Sequence, residues 1–177
     1  MKKPCIFFDR DGIVNHAPIK RYVEHIDEFY LQPEFFDSLK IVMERGYVAA
    51  IVTNQRGLST GQIPPEQLEA IHNRILAEVA GRGLSLLKIY FCDASDDDHP
   101  RRKPNPGMIL EAAEDHNLDL SRSWMIGDNE SDVTTGHRAG CRAILVNKHD
   151  IPTKADVRLS AMSELPDYLA RNLPAVG

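Results

Sequence analysis

Cys5-Ile6-Phe7-Phe8-Asp9-Arg10-Asp11-Gly12 is a short apolar run that stops abruptly on two carboxylates and a glycine. Because the run is continuous rather than alternating, it reads as a strand covered on both faces, as in a buried parallel sheet. Ligands of open α/β sheets collect outside the carboxyl ends of the strands. This strand delivers Asp9 and Asp11 to that edge, and Gly12 lets the backbone turn away. Two carboxylates so close repel each other unless a cation lies between them, which makes a hard cation with oxygen ligands, Mg²⁺, the first expectation. For an isolated D-x-D-G the alternative is an acidic turn, and the rest of the chain has to decide.

Working outward, Ile13 to Gln32 has no sustained period and reads as a loop or short hairpin flap over the strand edge. Pro33-Glu34 open a helix with Phe36, Leu39, Val42 and Met43 at helical spacing, closed by Gly46. Tyr47 to Val52 is a second continuous apolar run, and it too ends on polar residues, Thr53-Asn54-Gln55. After the loop Arg56 to Ile63, Pro64-Pro65 start a helix with Leu68, Ile71, Ile75, Leu76 and Val79 on one face. Leu84 to Cys92 reads as a third strand, Asp93 to Lys103 as a polar loop, and Asn105 as the cap of a helix carrying Met108, Ile109, Ala112 and Ala113. Ser123 to Ile126 is a fourth strand reaching Gly127-Asp128, and a helix follows from Glu130 toward Gly140. Arg142 to Val146 is a fifth strand, with a weak strand near Asp156-Val157 and a helix from Ser163 to about Asn172. Strands alternating with helices predict an α/β fold, a three-layer doubly wound parallel sheet. The interruptions are too short for a large cap domain.

With 177 residues, 42% of them hydrophobic and 27% charged, a single domain over 1–177 with one core is expected. No apolar stretch approaches the roughly 20 residues of a membrane span, and Met1-Lys2-Lys3-Pro4 is not a signal peptide, so a cytoplasmic protein with no membrane partner is expected. Cys5, Cys92 and Cys141 each lie in or at the end of an apolar run and read as buried thiols rather than a disulfide framework. The net charge of −5 argues against nucleic acid as a partner, despite the local cluster Arg101-Arg102-Lys103. A small anionic metabolite fits better, bound to a monomer.

Polar groups thus stand at strand or loop ends on one predicted edge in consecutive α/β units: Asp9 and Asp11, Thr53 and Asn54, Lys103, and Asp128 with Asp132. Each alone has a bland explanation, as a surface charge, a turn or a helix cap. In this order the chain resembles the haloacid dehalogenase superfamily of phosphotransferases. Asp9-Arg10-Asp11-Gly12, Thr53, Lys103 and Gly127 to Asp132 carry the superfamily pattern, and the stretches Asp9 to Asn15, Val52-Thr53-Asn54-Gln55 and Arg102 to Met108 look like its subfamily of heptose bisphosphate and histidinol phosphatases. The resemblance spans about residues 5 to 146 and implies this sheet, with the first strand central and no large cap.

It also implies a Mg²⁺-dependent hydrolase of small phosphomonoesters, a sugar phosphate or bisphosphate such as heptose 1,7-bisphosphate. Histidinol phosphate or a nucleotide is the alternative substrate, and a non-catalytic binding protein the remoter reading. By matching positions, Asp9 is the nucleophile forming an aspartyl-phosphate, and Asp11 the general acid and base, a task that asks for a pKa lifted toward neutrality. Thr53, the Asn54 backbone N–H and Lys103 meet the phosphoryl group. Asp9, the backbone carbonyl of Asp11 and Asp128 hold the metal, supported by Asp132. Arg56, Arg101 and Arg102 are candidates for a second phosphate, and Asn15, Gln55, His16 and Tyr22 for sugar hydroxyls. His72, His116 and His137 receive no role. One departure stands out: subfamily members commonly carry a zinc loop before the Lys motif, whereas here only Cys92 and His99 are available as ligands, so zinc is not expected. The run Asp96-Asp97-Asp98 reads as solvated charge.

Overall fold

The computed structural model describes residues 2–176. Six strands, β1 (Cys5–Phe8), β2 (Val48–Asn54), β3 (Ile89–Cys92), β4 (Trp124–Gly127), β5 (Arg142–Val146) and β6 (Val157–Leu159), form one parallel sheet in the order β3-β2-β1-β4-β5-β6. Four helices connect strands, α1 (Pro33–Glu44), α2 (Pro65–Gly81), α3 (Gly107–His116) and α4 (Glu130–Arg138), and α5 (Leu165–Asn172) follows β6. The chain builds outward from β1 through β2 to β3, then returns to lay β4 on the other side of β1. That reversal places a crevice at the carboxyl ends of β1 and β4, where ligands of such sheets bind.

The continuous apolar strands are explained by two cores. Ile6 and Phe8 of β1 face a large cluster with Leu39 of α1, Ile71 and Ile75 of α2 and Leu165 and Leu169 of α5. Cys5 and Phe7, on the opposite face, pack with Met108, Ile109 and Ala112 of α3. All four residues of β1 are buried, so alternation has no solvent side to record. The three-layer doubly wound reading therefore describes the molecule. The cysteines are free and buried. Among the described residues no helix is long and apolar enough to cross a membrane.

The differences from the sequence reading lie at element ends. β3 is only Ile89–Cys92, because Leu84 and Leu86 pack against the core from a loop rather than from a strand. Asn105 does not cap α3, which begins after Pro106; its side-chain Nδ2 instead donates to the carbonyl of His99 at 3.1 Å, tying down the preceding loop. Asn129 caps α4, in a capping box whose other half is Asp132. At the C-terminal helix, Ser163 lies inside a 3-10 turn, Met162–Glu164, that precedes α5. The flap from 13 to 32 is a loop with one 3-10 turn at Ile26–Glu28, anchored by buried Val23 and Phe29.

Candidate active site

The amide of Asp9 donates to the carbonyl of Ile126 at 2.9 Å, extending the β1–β4 ladder one residue past β1. Immediately beyond, the carbonyl of Arg10 accepts from the amides of Ile13, Val14 and Asn15, at 3.3, 2.8 and 3.1 Å, which makes the turn tight. Gly12 sits in that turn at φ +94°, and a Cβ there would lie 2.2 Å from Asp128 Oδ2. Only glycine lets the turn bring the two acidic strand ends together.

Lys103 joins them. Its buried ammonium donates to Asp9 Oδ1 at 2.7 Å, to Asp132 Oδ1 at 2.6 Å and to the Val52 carbonyl at 3.2 Å. Asn54, at the end of β2, fixes the lysine's backbone from both sides: its Nδ2 donates to the Lys103 carbonyl and its Oδ1 accepts from the Lys103 amide, each at 3.0 Å. Asp132 is positioned by the capping box, its Oδ2 accepting from the Asn129 amide at 3.1 Å. The same box leaves Asp128 outside α4, where Asn129 Nδ2 donates to its Oδ1 at 2.7 Å and Asn147 Nδ2 to its carbonyl at 2.8 Å.

Asp11 has a different set of partners. The fully buried Arg10 side chain folds back on it, with Nη2 donating to Oδ1 at 2.9 Å and Oδ2 at 3.1 Å and Nε to Oδ1 at 3.2 Å. Asn15 Nδ2 adds a bond to Oδ1 at 2.9 Å and Gln55 Nε2 one to Oδ2 at 3.1 Å. Burial acts to raise the Asp11 carboxyl, but the charge of Arg10 and these hydrogen bonds outweigh it and hold the group below the ordinary carboxylate range. This corrects the expectation of a pKa lifted toward neutrality: the neighbour that decides is the arginine between the two aspartates, not the other carboxylates. Asn15 and Gln55 are likewise corrected. Both are fully buried and hold Asp11, Gln55 also donating to Thr53 Oγ1 at 2.9 Å, so neither presents its side chain to a substrate.

The other carboxylates move the opposite way. Burial, reinforced by the charge of Asp132, raises Asp9 despite the lysine, and the same two causes raise Asp128 to about 7. Burial alone would lower Lys103, but Asp132 and Asp9 raise it above its ordinary value. Asp9, Asp128 and Asp132 each offer an oxygen within 4.8 Å of the others. Three carboxylates against one ammonium leave the cluster short of positive charge, and an all-oxygen donor set of this kind fits a hard divalent cation.

A cavity of about 330 Å³ opens over this cluster, lined by Asp9, Asp11, Thr53, Asn54, Lys103, Asp128 and Asp132 together with Lys20 and Arg21 of the flap. The sequence reading missed the last two, whose only signal was an adjacent basic pair in a segment placed over the strand edge. Arg56, Arg101 and Arg102 do not line it: Arg102 Nε pairs with Asp97 at 2.9 Å, Arg56 approaches the same carboxylate at 4.0 Å, and Arg101 pairs with Glu111 at 3.0 Å. His16 and Tyr22 line a neighbouring, more apolar cavity of about 510 Å³, with Ile19 and Tyr30. Cys92 Sγ and His99 Nδ1 are 3.7 Å apart, a pair rather than the four ligands a structural zinc takes.

Comparison with known proteins agrees with this geometry. The HAD-hydrolase-like family profile matches residues 100–176. The D-glycero-D-manno-heptose-1,7-bisphosphate 7-phosphatase of Thermosynechococcus vestitus is 31% identical over 189 residues, covering 99% of this chain and 94% of that one. The Helicobacter pylori J99 D-glycero-beta-D-manno-heptose-1,7-bisphosphate 7-phosphatase is 36% identical over 172 residues, covering 93% and 96%. The crystal structure of the D,D-heptose 1,7-bisphosphate phosphatase of B. bronchiseptica, complexed with magnesium and phosphate, superposes with a TM-score of 0.82 at 26% identity, covering 95% and 98%. Relatedness at this level extends over nearly the whole chain, and the chain belongs to the haloacid-dehalogenase-like phosphatases, in the family of the heptose-1,7-bisphosphate 7-phosphatases.

Proposed function

We propose that this phosphatase removes one phosphate from a small sugar bisphosphate, heptose-1,7-bisphosphate-like, by way of an aspartyl-phosphate on Asp9. The observation that carries the reading is the convergence of Asp9, Lys103 and Asp128 at the end of β1 and β4, beneath one open cavity. Lys103 holds Asp9 Oδ1 and so orients the carboxylate, which attacks phosphorus as the ester oxygen departs. Asp11 protonates that oxygen, then takes a proton from the water that attacks the aspartyl-phosphate, releasing orthophosphate and regenerating Asp9. The grip of Arg10 keeps Asp11 ionised at rest; a phosphate entering the cavity adds negative charge beside it and favours the protonated form. The Thr53 hydroxyl, whose oxygen already accepts from Gln55, has its proton free for a phosphoryl oxygen.

Asp9, Asp128 and the backbone carbonyl of Asp11 would hold Mg²⁺, with Asp132 supporting both the metal ligands and Lys103. When bound, the ion offsets the charge of the transferring phosphoryl group. The second phosphate of the substrate is met by Arg21 and Lys20, which line the cavity, rather than by Arg56, Arg101 or Arg102, which do not; Lys20 exchanges its contact with Glu28, 3.5 Å away, for the phosphate. The enzyme acts as one domain and a monomer in the cytoplasm.

The apolar cavity beside the flap favours one second reading, a phosphoester carrying an aromatic or apolar group such as histidinol phosphate. A kinetic panel with Mg²⁺ separates the two. The proposal expects kcat/KM for heptose 1,7-bisphosphate to exceed that for the 7-monophosphate and for histidinol phosphate, and Arg21→Ala to shrink the first preference by about tenfold, the size of one charge-assisted contact. A preference for histidinol phosphate would replace the proposal with the second reading.

A further inference from the structure

His72 lies on α2, 62 positions from the catalytic motif in sequence, yet its ring reaches the heart of it. Arg10 spends Nε and Nη2 on Asp11 and turns its remaining nitrogen, Nη1, to His72 Nε2 at 3.4 Å. Arginine has only donors, so Nε2 accepts and the imidazole proton sits on Nδ1. The ring is held from behind by Phe91, with centroids 5.6 Å apart, while Phe29 lies 6.0 Å from the guanidinium carbon. Burial, reinforced by the Arg10 charge, lowers His72 to about 4, which keeps it a neutral acceptor.

We propose that His72 is a positioning residue for the general acid Asp11, acting through Arg10. A guanidinium is a rigid plane, so an acceptor on Nη1 fixes the direction in which Nε and Nη2 present the Asp11 carboxyl to the leaving oxygen. Without that acceptor, Nη1 is a buried donor with no partner, and the plane is free to tilt toward another. The role rests on the reading of Asp11 as the group that protonates the leaving oxygen.

A leaving-group comparison tests it. Protonation matters when the departing group is a sugar alkoxide and little when it is p-nitrophenolate, and kcat/KM reports the chemistry through the departure of that group. Two variants lacking the acceptor are measured, His72→Phe, which keeps a ring against Phe91, and His72→Leu. In whichever of them folds, by circular dichroism and melting, the ratio of kcat/KM for a sugar phosphate to that for p-nitrophenyl phosphate is expected to fall about tenfold, part of the 10²–10⁴ that general acid catalysis supplies. His72→Gln, whose amide oxygen can accept from Arg10, is expected to restore most of the ratio. Equal losses on both substrates, an unchanged ratio, or no recovery with glutamine would overturn the positioning role. If the unmodified enzyme with Mg²⁺ hydrolyses neither substrate, the phosphatase reading itself has failed; if it hydrolyses both and the ratio does not move, only the role of His72 has.

Discussion

Arg10 is wholly buried between the two aspartates of the motif, and every one of its nitrogen donors has a named partner, none of them Asp9. That asymmetry separates two carboxylates only two positions apart: one sits against an ammonium and two further acids, the other against a guanidinium and two amides. Replacing Arg10 with methionine removes the counter-charge and leaves Asp11 to Asn15 and Gln55. Breaking a buried pair costs about 3–5 kcal/mol, and because 25% of the Asp11 side chain stays exposed, a loss of about 2–3 kcal/mol in urea unfolding is expected, with kcat falling at the same time. His72 gives a pH signature of its own. Its pKa is near 4 in the fold and about 6.5 when unfolded, so its contribution to stability is complete above about pH 6.5 and is lost as the pH falls through 4. Unfolding free energies of the natural chain and His72→Gln, compared across that window, should converge toward acid by up to about 3 kcal/mol, because glutamine does not titrate.

Two short elements set the geometry those side chains inherit. The capping box of α4 uses Asp132 twice, once for the Asn129 amide and once for Lys103, so the helix start and the buried lysine share one carboxylate. Asn129→Ala removes a cap and the bond to Asp128 Oδ1; a stability loss of about 1 kcal/mol in thermal unfolding is expected, with activity lowered beyond what that loss explains. At the end of β1, Gly12→Ala would combine a positive φ with a collision against Asp128, and the soluble variant is expected to have lost metal-dependent turnover. These strands and their acidic ends are legible in sequence because buried parallel strands are unbroken apolar runs and their polar termini stand out. The partners of Asp11 are not: Arg10 and Asn15 look like ordinary polar residues of a turn, and nothing local says that a histidine on α2 closes the other side of the guanidinium. β3 is read too long because core leucines in a loop are as apolar as those in a strand. The second-phosphate arginines mislead for the opposite reason, since a basic cluster in sequence does not show that Asp97 and Glu111 neutralise it in space.

Across the whole molecule, the doubly wound sheet brings Asp9 and Asp128 from neighbouring strands, Thr53 from β2 and Lys103 from the loop after β3 to one crevice. Excess negative charge in that crevice is a cost to the metal-free fold that a divalent cation relieves. Mg²⁺ is therefore expected to raise the melting temperature, by the equivalent of about 2.7 kcal/mol at one hundred times its dissociation constant, and EDTA to reverse it. The increment should be larger near about pH 8 than near about pH 5, since protons on the raised Asp9 and Asp128 compete with the ion. If Asp9 takes the phosphoryl group, the acyl phosphate on it can be trapped. In the Asp11→Asn variant, radiolabelled p-nitrophenyl phosphate needs no acid to leave, whereas the intermediate lacks the base that would hydrolyse it. After an acid quench and digestion, the label is predicted on the peptide containing Asp9, released by hydroxylamine as an acyl phosphate is, and absent when Asp9 is also changed to asparagine. Label on another residue, or full phosphatase activity in Asp9→Asn alone, would show that Asp9 is not the nucleophile.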